Sequence, residues 1–268
     1  MKSMTELEQY TWHRFTLTER AVRYGGYLVT ALLISWSLRT VDIFWPWVWD
    51  APAQMSDLAS RMFPPNTSNL TVIAKGMVET LHIAVIATAA AVFMAFPVAL
   101  ISAKNITPHP IFYWIGRFII VATRSIDTLI WALLFVAILG PGPVTGIIAV
   151  AFRSIGFLGK LVSEAIEEID WGPVEAVQAA GAGYFKVLIY AVVPQIFPAF
   201  LAITVLRWEI NIRESTVLGL VGAGGIGFLL QTAIDIFAWR TVSTILIAII
   251  IIVVIGETVS AHVRKKIL

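Results

Sequence analysis

Glu175-Ala176-Val177-Gln178-Ala179-Ala180-Gly181 is a small-residue, polar stretch set between long apolar runs, and Pro194 stands thirteen residues beyond its last glycine. Just before it lies Ile166-Glu167-Glu168-Ile169-Asp170-Trp171-Gly172-Pro173. A charged run, a Gly-Pro break, a short Ala-rich helix and a second break at Pro194 predict a helix that lies outside the bilayer between two spans. Pro173 suits the first turn of that helix, where a backbone N–H has no partner to lose. From Val174 to Ala180 the side chains of Ala176, Ala179 and Ala180 leave a slim rod able to enter a cleft in another protein. Gly181 and Gly183 are expected to end it at left-handed or close-packed positions.

The rest of the chain says what surrounds this helix. Of 268 residues, 58% are hydrophobic and 13% charged. A soluble domain carries about 25% charge, so the polar surface is too small to coat a water-soluble globule. Lipid is the alternative solvent, and each crossing takes ~20 mostly apolar residues. The net charge of +2 gives no reason to expect nucleic acid, and the lack of cysteine excludes disulfides, thiolate metal sites and a cysteine nucleophile. The first 23 residues are polar and end in no short apolar core with a cleavage site, so no cleavable signal is expected.

Six spans thread the sequence. Residues 1–23 read as an interfacial segment, with Trp12, Arg14, Phe15, Arg20 and Arg23. The first span runs from about Tyr24 to Phe44 and ends in Trp45, Trp47 and Trp49, an aromatic belt of the kind found at a bilayer surface. Residues 50–75 form an external loop with a short surface helix at Gln54 to Met62. The second span is Met77 to Ala103, rich in alanine and suited to close helix packing. Ile111 to Leu139 is too long for one span. Arg117 and Arg124 are expected to hold its first part at the inner interface, leaving Ser125 to Leu139 as the crossing. Gly140-Pro141-Gly142-Pro143 is a tight external turn. Val144 to Val162, Gln195 to Ile212 and Val242 to Ala261 complete the set, before a basic tail from Arg264 to Leu268. Arg14, Arg20, Arg23, Lys104, Lys160, Lys186 and Arg264 to Lys266 then fall on one side, Arg61, Lys75 and Arg240 on the other. Lysine and arginine favour the cytoplasmic side, which places both ends and the Glu175 helix there.

Two further groups carry chemistry. Arg207, Asn211 and Glu214 share one helical face at i, i+4, i+7, and Glu209 with Arg213 forms an opposite-charge i, i+4 pair. Ionisable groups inside a span are costly and are usually functional or mutually paired. One reading is a set of structural ion pairs. The other is a polar lining that admits a small anion, with Arg207 or Arg213 supplying the positive charge. The second group is the glycine run from Gly219 to Gly227, which contains Gly222, Gly224, Gly225 and a literal G-x-G-x-x-G. A dinucleotide site needs a strand before it and a βαβ unit around it. A membrane helix precedes this one, so the run reads as irregular, tightly packed backbone at the outer end of a pore, where it must be buried or line a cavity.

The Glu175 stretch resembles the cytoplasmic coupling motif of importer-type ABC permeases, which reads E-A-A, three residues, G, nine residues, I-x-L-P. Glu175, Ala176, Gly181 and Pro194 match; Val177, Ala191 and Val193 are conservative departures. Glu209 to Arg213 before Thr216 to Gly227, Arg124-Ser125-Ile126 before Trp131 to Phe135, and Gly156 to Lys160 before Glu164 to Asp170 are similar to the permease of phosphonate-type ABC importers. The resemblance spans about residues 76–263, and Asp127 departs from it where proline is expected.

What the resemblance implies is an all-α membrane protein with six transmembrane helices and the type-I importer permease fold, in the bacterial cytoplasmic membrane. It implies a homodimer, two ATP-binding cassette subunits gripping Glu175, Ala176, Gln178, Ala179 and Gly181 with Pro194 behind them, and an extracytoplasmic substrate-binding protein. ATP and magnesium would be bound by the partner ATPase, with no cofactor in this chain. The solute is a phosphorus oxyanion such as phosphonate, phosphite or hypophosphite. Its path is expected to be lined by Arg207, Glu209, Asn211, Arg213, Glu214, Gly222, Gly224 and Gly225. An ion-coupled secondary transporter of a small anion is the alternative; inverted repeats would favour it, and none is visible. A membrane-embedded enzyme would need a convergent catalytic set, and the sequence offers no Ser/His/Asp group and no phosphate-binding loop for ATP.

Overall fold

The computed structural model describes residues 15–41 and 44–267, and every regular element among them is helical. The expected interfacial role of Trp12 and Arg14 lies outside the described residues. The chain divides into two compact units, the first ending at Asp57 and the second running from Leu58.

The first unit holds α1 (Leu17–Thr40) and most of α2 (Trp45–Met62). Thr16 opens α1 with a capping box, its hydroxyl accepting the Glu19 N–H while the Glu19 carboxylate accepts the Thr16 N–H. Helix α2 begins nine residues before the expected surface helix, so Trp45, Trp47 and Trp49 form its first turns and Pro52 lies inside it.

The second unit is a bundle around α3 (Leu70–Ser102) and α6 (Pro143–Glu167). Their interface is built from alanine and glycine: Ala84, Ala87, Ala91, Ala95 and Ala99 on α3 are all buried, as are Gly146, Ala149, Gly156 and Gly159 on α6. Small residues let helix backbones approach, which is how helices gain packing energy where lipid removes the hydrophobic drive. A Cβ on Gly156 would stand 2.2 Å from the Thr123 hydroxyl, so α4 (Pro110–Ser125) closes onto α6 only because that position has no side chain.

Helix α4 and the next helix, α5 (Thr128–Leu139), meet at 89°. The expected crossing from Ser125 to Leu139 is corrected here. Its regular part is only 12 residues, about 18 Å at 1.5 Å per residue, too short for a hydrocarbon core of ~30 Å. The two helices form one bent element with Asp127 at the corner. Asp127 caps α5, its side chain accepting the Leu129 N–H at 3.0 Å, so the corner that lacks proline is set by a cap.

Beyond α6 come α7 (Trp171–Ala179), α8 (Tyr184–Val187), a π-helical turn (Leu188–Val192) and α9 (Val193–Leu218). The last three form one rod. Pro194 does not break the chain as the sequence suggests; it sits exposed in the first turn of α9, directly after the π turn, whose end is closed by the Val193 N–H donating to the Leu188 carbonyl. A 3-10 turn (Gly219–Val221) leads to α10 (Ile226–Asp235), an element absent from the sequence reading, and α11 (Trp239–Ile267) closes the chain. The supposed tail is the last turn of α11.

Helices α3, α6, α11 and the continuous stretch Tyr184–Asp235 are long and apolar enough to cross a membrane; α1 with α2 and α4 with α5 bring the number to six if each bent pair is one span. Helix α3 starts seven residues before the expected second span and carries Lys75 within it. Positions 75/76 and 263/264, read as segment edges, fall inside α3 and α11.

Candidate functional site

Helix α7 is pinned on one side only. Val174, 1% exposed, packs into a cluster with Ala99, Ala103, Val162, Ile166, Val187, Ala191, Val192 and Ile196. Asp170 caps the helix by accepting the Gly172 N–H at 3.0 Å. Gln195, from the first turn of α9, brackets Asp170: its Oε1 accepts the Asp170 N–H at 3.0 Å, and its Nε2 donates to the Asp170 carbonyl at 3.2 Å. At the other end the Ala182 N–H reaches the Val177 carbonyl and the Gly181 N–H the Gln178 carbonyl, the Schellman arrangement. Gly181 takes the left-handed φ of +81° that this stop requires. Gly183 is corrected: at φ −74° with open space around its α-carbon, it is neither left-handed nor close-packed, and serves as the residue before α8. Glu175, Ala176, Gln178, Ala179 and Gly181 are all exposed. The result is a slim, rigidly mounted knob whose free face is small and polar.

The α9 cluster ties together five helices, α3, α5, α6, α9 and α11. Arg207 is 2% exposed. Its Nε donates to Ser154 Oγ at 2.8 Å, its Nη2 pairs with Glu214 Oε2 at 3.0 Å, and its guanidinium lies over the Phe157 ring at 5.1 Å. Asn211 donates to Thr88 on α3 at 2.8 Å and accepts from Ser154 at 3.2 Å. Thr128, at the start of α5, donates to Glu214 at 2.8 Å. Arg153 on α6 pairs with Asp127 at 2.8 Å and reaches Glu214 at 3.9 Å. Glu209, 8% exposed, bonds Arg213 and Arg264, each at 3.1 Å. The one-face grouping of Arg207, Asn211 and Glu214 is therefore one network, and Arg207 is sealed by its partners rather than open to a lumen. Sequence reasoning missed Thr88, Thr128, Arg153, Ser154 and Arg264. Arg153 carried its own signal, a charge inside the apolar run of α6.

Asp127, Thr128, Leu129, Arg213, Glu214, Val217 and Leu218 line a cavity of about 230 Å³ beside this network. Toward the end of α9 the glycine run turns sharply, with Gly222, Gly224 and Gly225 at φ +85°, +80° and +74°. Only glycine takes such values without strain. The turn is held from three sides. The Gly222 carbonyl accepts the Gly142 N–H at 2.9 Å, Glu79 accepts the Gly225 N–H at 3.0 Å, and Thr80 accepts the Ile226 N–H at 2.8 Å. Glu79 thus serves this turn. Gly222 sits beside the start of α6 and Asp170 just past its end, so the turn and α7 are separated by the length of a 25-residue helix.

Residues 67–267 match the family model of the binding-protein-dependent transport system inner membrane component, which is three quarters of the chain. The chain belongs to that family. The permease is 39% identical over 253 residues to the phosphate-import permease protein PhnE of Mycolicibacterium smegmatis, covering 93% of this chain and 47% of that one. It is 40% identical to the putative phosphite transport system permease protein HtxC of Stutzerimonas stutzeri, over 78% of this chain and 74% of that one. It is 39% identical to the phosphite transport system permease protein PtxC of the same organism, over 79% and 77%. The permease thus spans about half the length of the first relative and about three quarters of the other two. A chain of the MetNI methionine ABC transporter, in an inward-facing crystal form, shares the fold at TM-score 0.65 and 20% identity over 76% of this chain and 99% of that one. The permease is accordingly an all-helical, multi-pass membrane protein of the type-I ABC importer fold.

Proposed function

We propose that the permease forms the membrane path of an ATP-driven importer for a phosphorus oxyanion, and that α7 receives the motion of a separate ATPase. The observation that carries this is α7 itself: a capped helix anchored through Val174 and the half-buried Val177, with Glu175, Ala176, Gln178 and Ala179 left outward. A knob of alanines suits insertion into a cleft, and Glu175 suits a basic or donor-rich wall within it. The direct junction from α7 through α8 to the α9 rod gives force a route to the charged network. The working unit is a homodimer with two ATP-binding cassette subunits, served by an extracytoplasmic binding protein. The chain moves between two helix packings, each favoured by a different nucleotide state of its partners. The names of the relatives support a phosphorus oxyanion, and the guanidinium-rich core of α6 and α9 suits one, since the planar fork of arginine matches such oxygens. Arg207, Asn211, Glu214 and the glycine turn act as the frame of the path, with Arg213 on its cavity wall. The relatives named above give no support to the ion-coupled alternative.

Uptake by vesicles holding the permease is expected only when ATPase, loaded binding protein and internal ATP are all supplied. Glu175→Arg is expected to abolish binding-protein-stimulated ATP hydrolysis while the thermal midpoint of the permease stays within about 2 °C. Uptake by the permease alone on an ion gradient would overturn the proposal.

A further inference from the structure

Four charges beside the cavity form an alternating ladder whose exposure falls steadily inward; Arg213, on the cavity wall, stands apart from it and is tied to Glu209. Asp127 is 60% exposed, Arg153 28%, Glu214 19% and Arg207 2%. Successive rungs are 2.8, 3.9 and 3.0 Å apart. The inner end is closed. Arg207 has Ser154, Glu214 and the Phe157 face around it, and removing one partner of a pair so buried leaves an uncompensated charge. The outer end is different. Arg153 has one short bond to a carboxylate that is mostly in contact with solvent, and a long contact to a second. Both carboxylates line the 230 Å³ cavity. Arg124 is a second cation close to Arg153, on the wall of a separate cavity: its stem lies against Gly156, one turn from Arg153, and no carboxylate lies within ion-pair distance of it among the described residues.

We infer that Arg153 is the guanidinium a passing oxyanion contacts, and that Asp127 is its resident counter-ion, exchanged for the solute during passage. This rests on the oxyanion reading above. The chemistry is a like-for-like swap. A carboxylate oxygen and an oxygen of a phosphorus oxyanion both accept from a guanidinium N–H, so Arg153 leaves one anion only as it meets another and is never stranded. Exposed pairs of this kind hold weakly, which suits a contact that must be made and broken each cycle. Asp127 keeps its second oxygen on the Leu129 N–H throughout, so the α4–α5 corner stays capped while its other oxygen trades places with the solute.

The chain has no cysteine, which permits a charge-rescue test on the assembled importer in vesicles. With saturating loaded binding protein, Arg153→Cys is expected to cut phosphite uptake at least tenfold. A thiol reagent that adds an ammonium group restores a third or more of the rate, and one that adds a sulfonate restores none. Asp127→Asn keeps the cap and removes the competitor, so its uptake is expected to exceed that of the unmodified protein. Equal loss in Asp127→Asn and Arg153→Cys would show a structural brace and overturn the inference. So would rescue by either sign of charge, or a thiol at position 153 that no reagent reaches in any nucleotide state. Absence of uptake of phosphite, hypophosphite and alkylphosphonate by the unmodified importer refutes the oxyanion reading instead, and is seen before any variant is made.

Discussion

At the scale of single residues, the packing of the permease depends on positions where nothing fits beyond a hydrogen. A Cβ on Gly146 would stand 2.5 Å from the Ala223 carbonyl oxygen. That carbonyl cannot step aside, because the neighbouring Gly222 carbonyl is tied to Gly142 on the same helix. Gly146→Ala is therefore expected to cost about 1–3 kcal/mol, the range for forcing extra volume into a filled interface. Gly181→Ala meets no atom but must hold a left-handed backbone, which costs an alanine roughly 1–2 kcal/mol. Gly183→Ala meets no atom and has an ordinary φ of −74°, so it is expected to be near neutral. Thermal midpoints of the three variants in one detergent check the order. A Gly183 variant as damaged as Gly146→Ala would contradict it. In the sequence the three glycines look alike. Their difference lies in what a distant segment brings within reach, which only the fold shows.

At the scale of elements, α9 and α11 are joined by packing and by one buried carboxylate. Gly256 lets α11 approach Ile212, where a Cβ would come within 2.8 Å of that side chain, and Glu209 then bonds Arg213 on its own helix and Arg264 in the last turn of α11. Removing one member of a fully buried pair costs about 3–5 kcal/mol. Here Arg213 and Arg264 are 45% and 27% exposed, so Glu209→Gln is expected to cost only about 1–2 kcal/mol after solvent screening. The loss is local, and limited trypsin should cut at Arg264 to Lys266 several times faster in the variant than in the unmodified protein. An unchanged cutting rate would remove Glu209 from this role. The i, i+4 pair was legible in the sequence because both residues lie on one helix. Arg264 was not, since fifty-five positions separate it from Glu209. The same distinction runs through the fold. Helices α3, α6 and α11 were legible as apolar runs, and α7 through its small residues and flanking breaks. Helix α10 and the true start of α2 were missed because glycine and tryptophan-proline signals were read as loop and belt. Pro194 was read as a break because the π turn that accommodates it leaves no mark in composition.

At the scale of the whole second unit, direction follows from α6. Its first residues touch the glycine turn, through Gly142 and Gly222, and its last lead through Asp170 into α7. Twenty-five helical residues separate these ends by about 37 Å, more than the ~30 Å of a hydrocarbon core. The two ends therefore lie on opposite faces of the membrane. Which face is which is set by charge: Lys160 and Lys186 flank α7, and Arg264 to Lys266 end α11, while the glycine-turn end of α6 carries no lysine or arginine from Gly140 to Ile147. Lysine and arginine near span ends are retained on the cytoplasmic side, so α7 is expected to face the cytoplasm and the glycine turn to face out. The cysteine-free background makes this measurable. Gln178→Cys, exposed on α7, is expected to react with a membrane-impermeant maleimide only after cells are opened. Leu220→Cys, 36% exposed beside the glycine turn, is expected to react in intact cells. The reverse pattern would put α7 where no cytoplasmic ATPase can reach it. It would remove the mechanical coupling while leaving the helices, the network and the packing of the bundle as they are.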